Sequence, residues 1–203
     1  MITIIDYGVG NLRSVEKAFQ YIGSKAMVTS DRNEILNADA VVLPGVGAFA
    51  DAMDSIRKAG MVEVVKKVIS ADKPFLGICL GLQLLFDYSE EGGTQVEGLK
   101  IFNGSIKQLP ADMNLKVPHM GWNSIVIDKK CPLYKGLPEN PYVYFVHSYY
   151  LDAVDKSIVT ARTHYGTDFD VAVAFKNVYA TQFHPEKSGE VGLSILKNFT
   201  GMI

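Results

Sequence analysis

The segment from Lys73 to Phe86, KPFLGICLGLQLLF, indicates most directly how this chain folds. Its first part, Pro74 to Ile78, is a short apolar run that predicts a buried strand, and Leu80 to Phe86 predicts a helix. A strand that passes directly into a helix is typical of α/β proteins. The sequence therefore predicts an α/β fold with this unit at its centre.

Between the predicted strand and helix lies Cys79, with Gly77 and Gly81 two residues away on either side. A nucleophile on a tight strand-to-helix turn needs this spacing, because flanking side chains would collide with the neighbouring strand and helix. The turn also places the sulfur at the start of a helix, where partial positive charge favours a thiolate. The alternative is a small buried side chain, which is the usual state of a free cysteine.

The composition narrows the class of protein. The 203 residues, 48% of them hydrophobic, fit one domain over residues 1–203, and the net charge of −2 argues against a nucleic-acid partner. Two cysteines are too few for a disulfide framework and favour a reduced, cytoplasmic setting. The N-terminus reads as a strand rather than a signal peptide, and no apolar run reaches the ~18 residues that cross a bilayer. We therefore expect no membrane partner.

The first half of the chain alternates between strand and helix patterns. Ile2 to Ile5 is a continuous apolar run, which predicts a strand covered on both faces. The glycine turn after it resembles a dinucleotide fingerprint, but Arg13 replaces the third glycine, so we expect no bound dinucleotide. We also expect no other cofactor and no metal. Ala48 to Ser70 predicts two helices separated at Gly60, whereas frequent turns after Gly92 predict short strands.

The segment Pro44–Gly47 follows a predicted strand directly. Two glycines at a strand end allow the backbone to direct its N–H groups at a negative charge. If this loop lies beside Cys79, its amides can form an oxyanion hole, in which one donor is worth ~3 kcal/mol of transition-state stabilisation. An ordinary turn is the alternative. The oxyanion candidates are Gly45, Val46, Gly47 and Leu80.

The segment Thr181–Glu186, TQFHPE, predicts the end of a hairpin strand. In an extended chain His184 and Glu186 project to the same side, and a proline between them ends the ladder. An imidazole oriented by a carboxylate is what a thiol nucleophile requires for proton transfer. Of the other histidines, His164 reads as a structural residue, and the sequence leaves His119 undecided.

Three segments together resemble the class I glutamine amidotransferases, whose marks are a cysteine elbow, an oxyanion loop and a late His-Pro-Glu. They are Gly77–Gly81, Pro44–Gly47 and His184–Glu186. Within this family, three further segments resemble the stand-alone glutaminase subunits of histidine biosynthesis, which form a heterodimer with a (β/α)8-barrel cyclase. These are Asp6–Leu12, Pro118–Asn123 and His147–Tyr149.

The resemblance implies a three-layer α/β/α, flavodoxin-like fold with a mixed, largely parallel central sheet. It also implies hydrolysis of glutamine to glutamate and ammonia through a thioester on Cys79, with His184 as general acid/base and Glu186 as its orienting carboxylate. The loop Gly45–Gly47 and Leu80 would supply the oxyanion donors. Its paired glycines would make a gating change of the loop easy.

The resemblance also assigns substrate and partner contacts. The glutamine head group would contact Gln83, His147, Ser148 and Tyr149. A helix-surface amide is the alternative for Gln83, but its place one turn after Cys79 favours the ligand role. The expected interface residues for the cyclase are Asn11, Met120, Trp122 and Lys187, although a single tryptophan is as often plain core.

Three rival interpretations remain open at the level of sequence. The first is a glutaminase for another synthase, such as pyridoxal phosphate, aminodeoxychorismate or anthranilate synthase, and the Pro118–Asn123 segment argues against it. The second is a cysteine hydrolase of the protease or deglycase type. The third is a flavodoxin-like binding module in which Cys79 is only a core residue.

Overall fold

The structure, a computed structural model, describes residues 1–110 and 115–203. The helices are α1 Leu12–Tyr21, α2 Arg32–Asn37, α3 Phe49–Lys58, α4 Val62–Ser70, α5 Leu80–Gln83 and α6 Gly189–Thr200. The strands are β1 Ile2–Ile5, β2 Ala26–Thr29, β3 Ala40–Gly45, β4 Phe75–Cys79, β5 Tyr88–Ser89, β6 Val96–Glu97, β7 Gly104–Gln108, β8 His119–Ser124, β9 Val126–Ile127, β10 Tyr142–His147, β11 Tyr149–Ala153, β12 Val159–Tyr165, β13 Thr167–Phe175 and β14 Val178–Thr181.

Among the described residues, twelve strands form one sheet in the order β2-β1-β3-β4-β14-β13-β11-β7-β5-β6, with β12 paired to β13 and β9. Strands β2, β1, β3, β4 and β14 run parallel. Antiparallel pairs continue the sheet from β14 through β13 and β11 to β7. Strands β8 and β10 form a separate antiparallel pair. The mixed sheet with a parallel core confirms the predicted fold class.

Helices cover both faces of the parallel core, which explains why its strands are apolar without alternation. In β1, Ile4 packs into the cluster beneath α1 and α6, whereas Ile5 packs into the cluster beneath α2, α3 and α4. On the first face, Phe19 of α1 and Phe199 of α6 lie with ring centroids 6.4 Å apart. The result is the three-layer arrangement that the family resemblance implies.

The break predicted at Gly60 is confirmed, since α3 ends at Lys58 and α4 begins at Val62. The helix predicted over Leu80–Phe86 is wrong in its length, because α5 ends at Gln83. The carbonyl groups of residues 84–86 accept hydrogen bonds from backbone N–H groups of residues 99–102 instead of continuing the helix. Tertiary hydrogen bonds thus override a strong local helix pattern.

The order of the parallel strands brings three sequence motifs to one edge of the sheet. Strands β3, β4 and β14 are neighbours, and Pro44–Gly47, Cys79 and His184 lie at or beyond their carboxyl ends. Ligands of α/β proteins bind at this edge. Among the described residues, no helix has the length and apolar composition needed to cross a membrane.

Candidate active site

Cys79 occupies a strained turn between β4 and α5, with φ 55° and ψ −111°. A side chain at Gly77 would place its Cβ 2.9 Å from the carbonyl oxygen of Gly81, and one at Gly81 would overlap the carbonyl oxygen of Leu43. The spacing of the two glycines therefore has the steric cause that the sequence predicts. A positive φ at a residue other than glycine costs energy and is typical of functional sites, so Cys79 is not an ordinary strand residue.

His184 and Glu186 form a buried pair, in which His184 Nδ1 lies 2.8 Å from Glu186 Oε1 and the side chains are 2% and 1% exposed. They meet across a short 3₁₀ turn, Pro185–Lys187, rather than along an extended strand. Ser188 stands at the N-cap position of α6 but does not cap it. Its hydroxyl donates to the His184 carbonyl oxygen at 2.6 Å and accepts from the Tyr144 N–H at 2.9 Å.

The surroundings of His184 favour its protonated form. Burial lowers the pKa of His184, but the Cys79 sulfur and the Glu186 carboxylate raise it more, and the result is a pKa of about 9 in place of 6.5. The second ring nitrogen, Nε2, is buried without a hydrogen-bond partner among the described residues. Because Nδ1 is held by Glu186, Nε2 is the nitrogen available to exchange a proton.

A cavity of about 290 Å³ lies beside Cys79. The predicted site residues that line it are Val46, Gly47, Cys79, Leu80, Gln83, His147, Ser148, Tyr149, His184 and Lys187. Gly45 lies opposite Cys79 in the register of β3 and β4. A larger cavity of about 500 Å³ lies at the opposite edge of the sheet beside Asp72 and Phe175, and no predicted site residue lines it.

Two buried histidines lie beside the cavity, and one of them, His147, forms part of its wall. His147 Nδ1 lies 2.8 Å from the Tyr149 carbonyl oxygen, and its Nε2 lies 2.9 Å from His119 Nδ1. Asn123 Nδ2 lies 3.3 Å from His119 Nε2, and the His119 ring stacks on Tyr165. Burial lowers the pKa of both histidines to about 4, so both are neutral at pH 7. Both ring nitrogens of His147 are therefore engaged within the protein.

Three of the four predicted interface residues, Met120, Trp122 and Lys187, lie near one another on the surface around the site. Met120 and Trp122 are exposed by 62% and 55%. Trp122 packs edge-on against the Tyr144 ring at 6.2 Å, and Lys187 Nζ lies 5.9 Å from the centre of the same ring. Asn11 stands at the N-cap position of α1. The tryptophan is thus a surface residue and not part of the core.

Two polar residues that line the cavity, Gln182 and Glu91, were not predicted from the sequence. Gln182 Nε2 lies 3.7 Å from Cys79 Sγ. The period-two pattern that pairs His184 with Glu186 would also have pointed to Gln182, two residues before His184. Glu91 Oε2 accepts from the Phe49 N–H at 2.6 Å. No local signal marks Glu91, because only the fold brings its loop to the cavity.

The fold and this edge-of-sheet site define the class of protein. The sequence profile described as glutamine amidotransferase class-I matches residues 3–202, and the chain belongs to this family. A crystal structure described as a glutamine amidotransferase has a TM-score of 0.75 at 18% sequence identity, with 98% of this chain and 100% of that chain covered. That structural likeness shows the fold alone.

Curated relatives narrow the family further. The protein from Caldanaerobacter subterraneus subsp. tengcongensis is 56% identical over 100% of this chain and 98% of its own length. The protein from Syntrophotalea carbinolica is 54% identical over 100% of both chains. Both carry the name imidazole glycerol phosphate synthase subunit HisH. Within class I, the chain therefore belongs to the family of these subunits, which confirms the resemblance seen in its sequence.

Proposed function

We propose that this chain is the glutaminase subunit of an imidazole glycerol phosphate synthase and that Cys79, His184 and Glu186 carry its reaction. The observation that carries this assignment is the juxtaposition at one sheet edge. A cysteine on a positive-φ turn shares a cavity with a histidine whose ring is held by a buried carboxylate. This is the arrangement that nucleophilic thiol catalysis requires.

The reaction begins when the Cys79 thiolate attacks the carboxamide carbon of glutamine. The imidazolium of His184 then gives its Nε2 proton to the leaving nitrogen, so ammonia departs and a γ-glutamyl thioester remains on the sulfur. In the second half, neutral His184 takes a proton from water as it attacks the thioester. Glutamate leaves and the imidazolium–thiolate pair returns. Glu186 keeps the ring in the tautomer and orientation that both steps need.

The tetrahedral intermediates carry a negative oxygen that needs donors. The Gly45–Gly47 loop and the Leu80 backbone N–H follow the ends of the two strands beside the sulfur, and Val46, Gly47 and Leu80 line the cavity. Gly47 has φ +90°, a conformation that glycine adopts without strain. We assign the oxyanion hole to these groups.

The cavity has the charges that an α-amino acid requires. Glu91 offers a carboxylate to the substrate ammonium, and Lys187 offers an ammonium to the substrate carboxylate. Gln83, Ser148 and Tyr149 supply polar groups along the same wall. His147, whose nitrogens are both engaged, shapes the wall and does not bind the head group directly.

The partner in this proposal is a (β/α)8-barrel cyclase subunit in a cytoplasmic heterodimer. Free ammonia would be protonated in water, so the glutaminase site must deliver it to the acceptor site. The exposed Met120 and Trp122, with Lys187 beside the cavity mouth, provide an apolar and cationic surface next to the site. Asn11 lies beside Val46 and His184 at the same edge of the sheet.

The test is a glutaminase assay of the purified chain, with and without a cyclase subunit and its nucleotide ligand. We expect Cys79→Ala to abolish glutamine-dependent synthesis in the complex while synthesis from added ammonium salts continues. Cys131→Ala serves as the matched control and should retain both activities. Loss of both activities in Cys79→Ala would make the residue structural, and recovery of a different synthase as the partner would overturn the proposed pathway.

A further inference from the structure

Gln182 connects the nucleophile to the substrate wall, although the reaction described above does not use it. Its side chain is 1% exposed and follows the end of β14. One end of its carboxamide lies 3.7 Å from Cys79 Sγ, and the other lies 2.9 Å from Gln83 Nε2. Gln83 Nε2 also lies 3.3 Å from the Tyr149 carbonyl oxygen.

The hydrogen-bond partners determine which end of the Gln83 and Gln182 side-chain amides donates and which end accepts. The two ends of a side-chain amide have nearly the same shape, so only a partner of unambiguous chemistry decides which end is the donor. The Tyr149 carbonyl oxygen is such a partner, because it can only accept. The end of Gln83 that faces it must therefore be the NH₂ group. The same NH₂ group faces Gln182, which must present its oxygen to Gln83.

The Tyr149 carbonyl is itself held in place. His147 Nδ1 lies 2.8 Å from it, and His119 occupies the other nitrogen of that imidazole. The remaining end of Gln182, its NH₂ group, is thereby directed at Cys79 Sγ. Hydrogen bonds from N–H groups favour the charged form of an acceptor, and a thiolate accepts more strongly than a thiol.

We propose that Gln182 donates a hydrogen bond to the Cys79 sulfur and favours its thiolate, and that Gln83 acts as the positioning residue that orients Gln182. This inference rests on the proposed function, since it concerns the same nucleophile. It gives Gln83 a second role beside its place in the cavity wall. It also explains why a glutamine fully buried at the strand end faces the sulfur.

The experiment measures the rate of Cys79 alkylation by iodoacetamide against pH in the full chain, with the modified cysteine identified by mass spectrometry. Gln182→Met removes the donor without adding charge, and Gln182→Glu replaces the donor with an oxygen of the same shape. We expect the alkylation rate at pH 7 to fall roughly tenfold in Gln182→Met and further in Gln182→Glu. The pH of half-maximal rate should rise in both.

Gln83→Met leaves Gln182 free to turn, so we expect a smaller rise in that pH. Gln20→Met, on the exposed face of α1, is the matched control and should leave the profile unchanged. A loss of folding is recognised separately, because it would expose both buried cysteines and label Cys131 together with Cys79. Midpoints equal to wild type in both Gln182 variants would overturn the inference, even where Cys79→Ala abolishes glutaminase activity and the proposed function stands.

Discussion

The two cysteines of this chain are buried to the same degree, at 7% and 6% exposure, and pack into the same core cluster, but they differ in backbone conformation and in polar partners. Cys79 has φ 55° and lies beside His184 and Gln182 at a cavity. Cys131 has φ −68°, does not line that cavity, and has a thiol whose pKa is raised by burial. Burial therefore does not separate the proposed nucleophile from the other cysteine. Backbone conformation and polar partners do.

The largest effect is expected from removing the partners that only Cys79 has. His184→Ala should lower glutaminase kcat/KM by roughly 10⁴-fold, because the proton carrier is lost. Glu186→Gln should cost less, roughly 10²-fold, because the ring loses its orientation and not its proton. His164→Ala is the control, since His164 is exposed and contacts Asp168. Equal losses in the two variants would show that Glu186 does more than orient His184.

A stability effect should follow from filling the turn around Cys79. Gly81→Ala forces a Cβ into the Leu43 carbonyl, and we expect unfolding free energy to fall by about 3 kcal/mol. Gly201→Ala is the matched change, because Gly201 has φ −73° and only an ordinary contact at 3.4 Å, and its effect should stay within about 0.5 kcal/mol. Urea denaturation checks both. A neutral Gly81→Ala would contradict the steric account of the turn.

The smallest expected effect is on the pH dependence of folding stability. The pKa of His184 is raised to about 9 in the folded chain, so the protonated ring contributes stability fully below pH 6.5 and loses it as the pH rises through about 9. In Cys79→Ala the sulfur no longer raises that pKa, so the decline should still begin near pH 6.5 but be smaller and end at lower pH. Thermal unfolding midpoints between about pH 6 and pH 10 measure this. Cys131→Ala should follow wild type, and a shift there would contradict the comparison.

The sequence predicted the parts of the fold that local patterns control. Continuous apolar strands, the break at Gly60 and the elbow around Cys79 all have short-range causes, and they stand in the structure. The length of α5 escaped prediction, because backbone N–H groups of residues 99–102 compete for its carbonyls. The pairing of His184 with Glu186 was expected for the wrong reason, since a 3₁₀ turn brings them together.

The residues of the site also divide into those that a local sequence pattern can identify and those that only the fold brings to the cavity. Gln182 lies in the segment Thr181–Glu186, and the two-residue alternation that links His184 to Glu186 could also have identified Gln182 as a site residue. Glu91 could not be predicted in this way, because only the fold brings its loop to the start of α3, where its carboxylate accepts from the Phe49 N–H. The engaged state of His147 also depends on His119, which lies 28 residues away and pairs across β8 and β10.

The most direct test of Cys79 as the nucleophile is labelling with 6-diazo-5-oxo-norleucine, a glutamine-derived electrophile. The reagent is added to the chain by itself and to the chain with the cyclase subunit present. Peptide mass spectrometry then locates the new carbon–sulfur bond. We predict an adduct on Cys79, none on Cys131, and no transfer of label to Cys131 in Cys79→Ala. Comparable labelling of the two cysteines, or an adduct on Cys131 alone, would contradict the claim that the turn, the imidazole and the amide donor make one buried thiol a nucleophile.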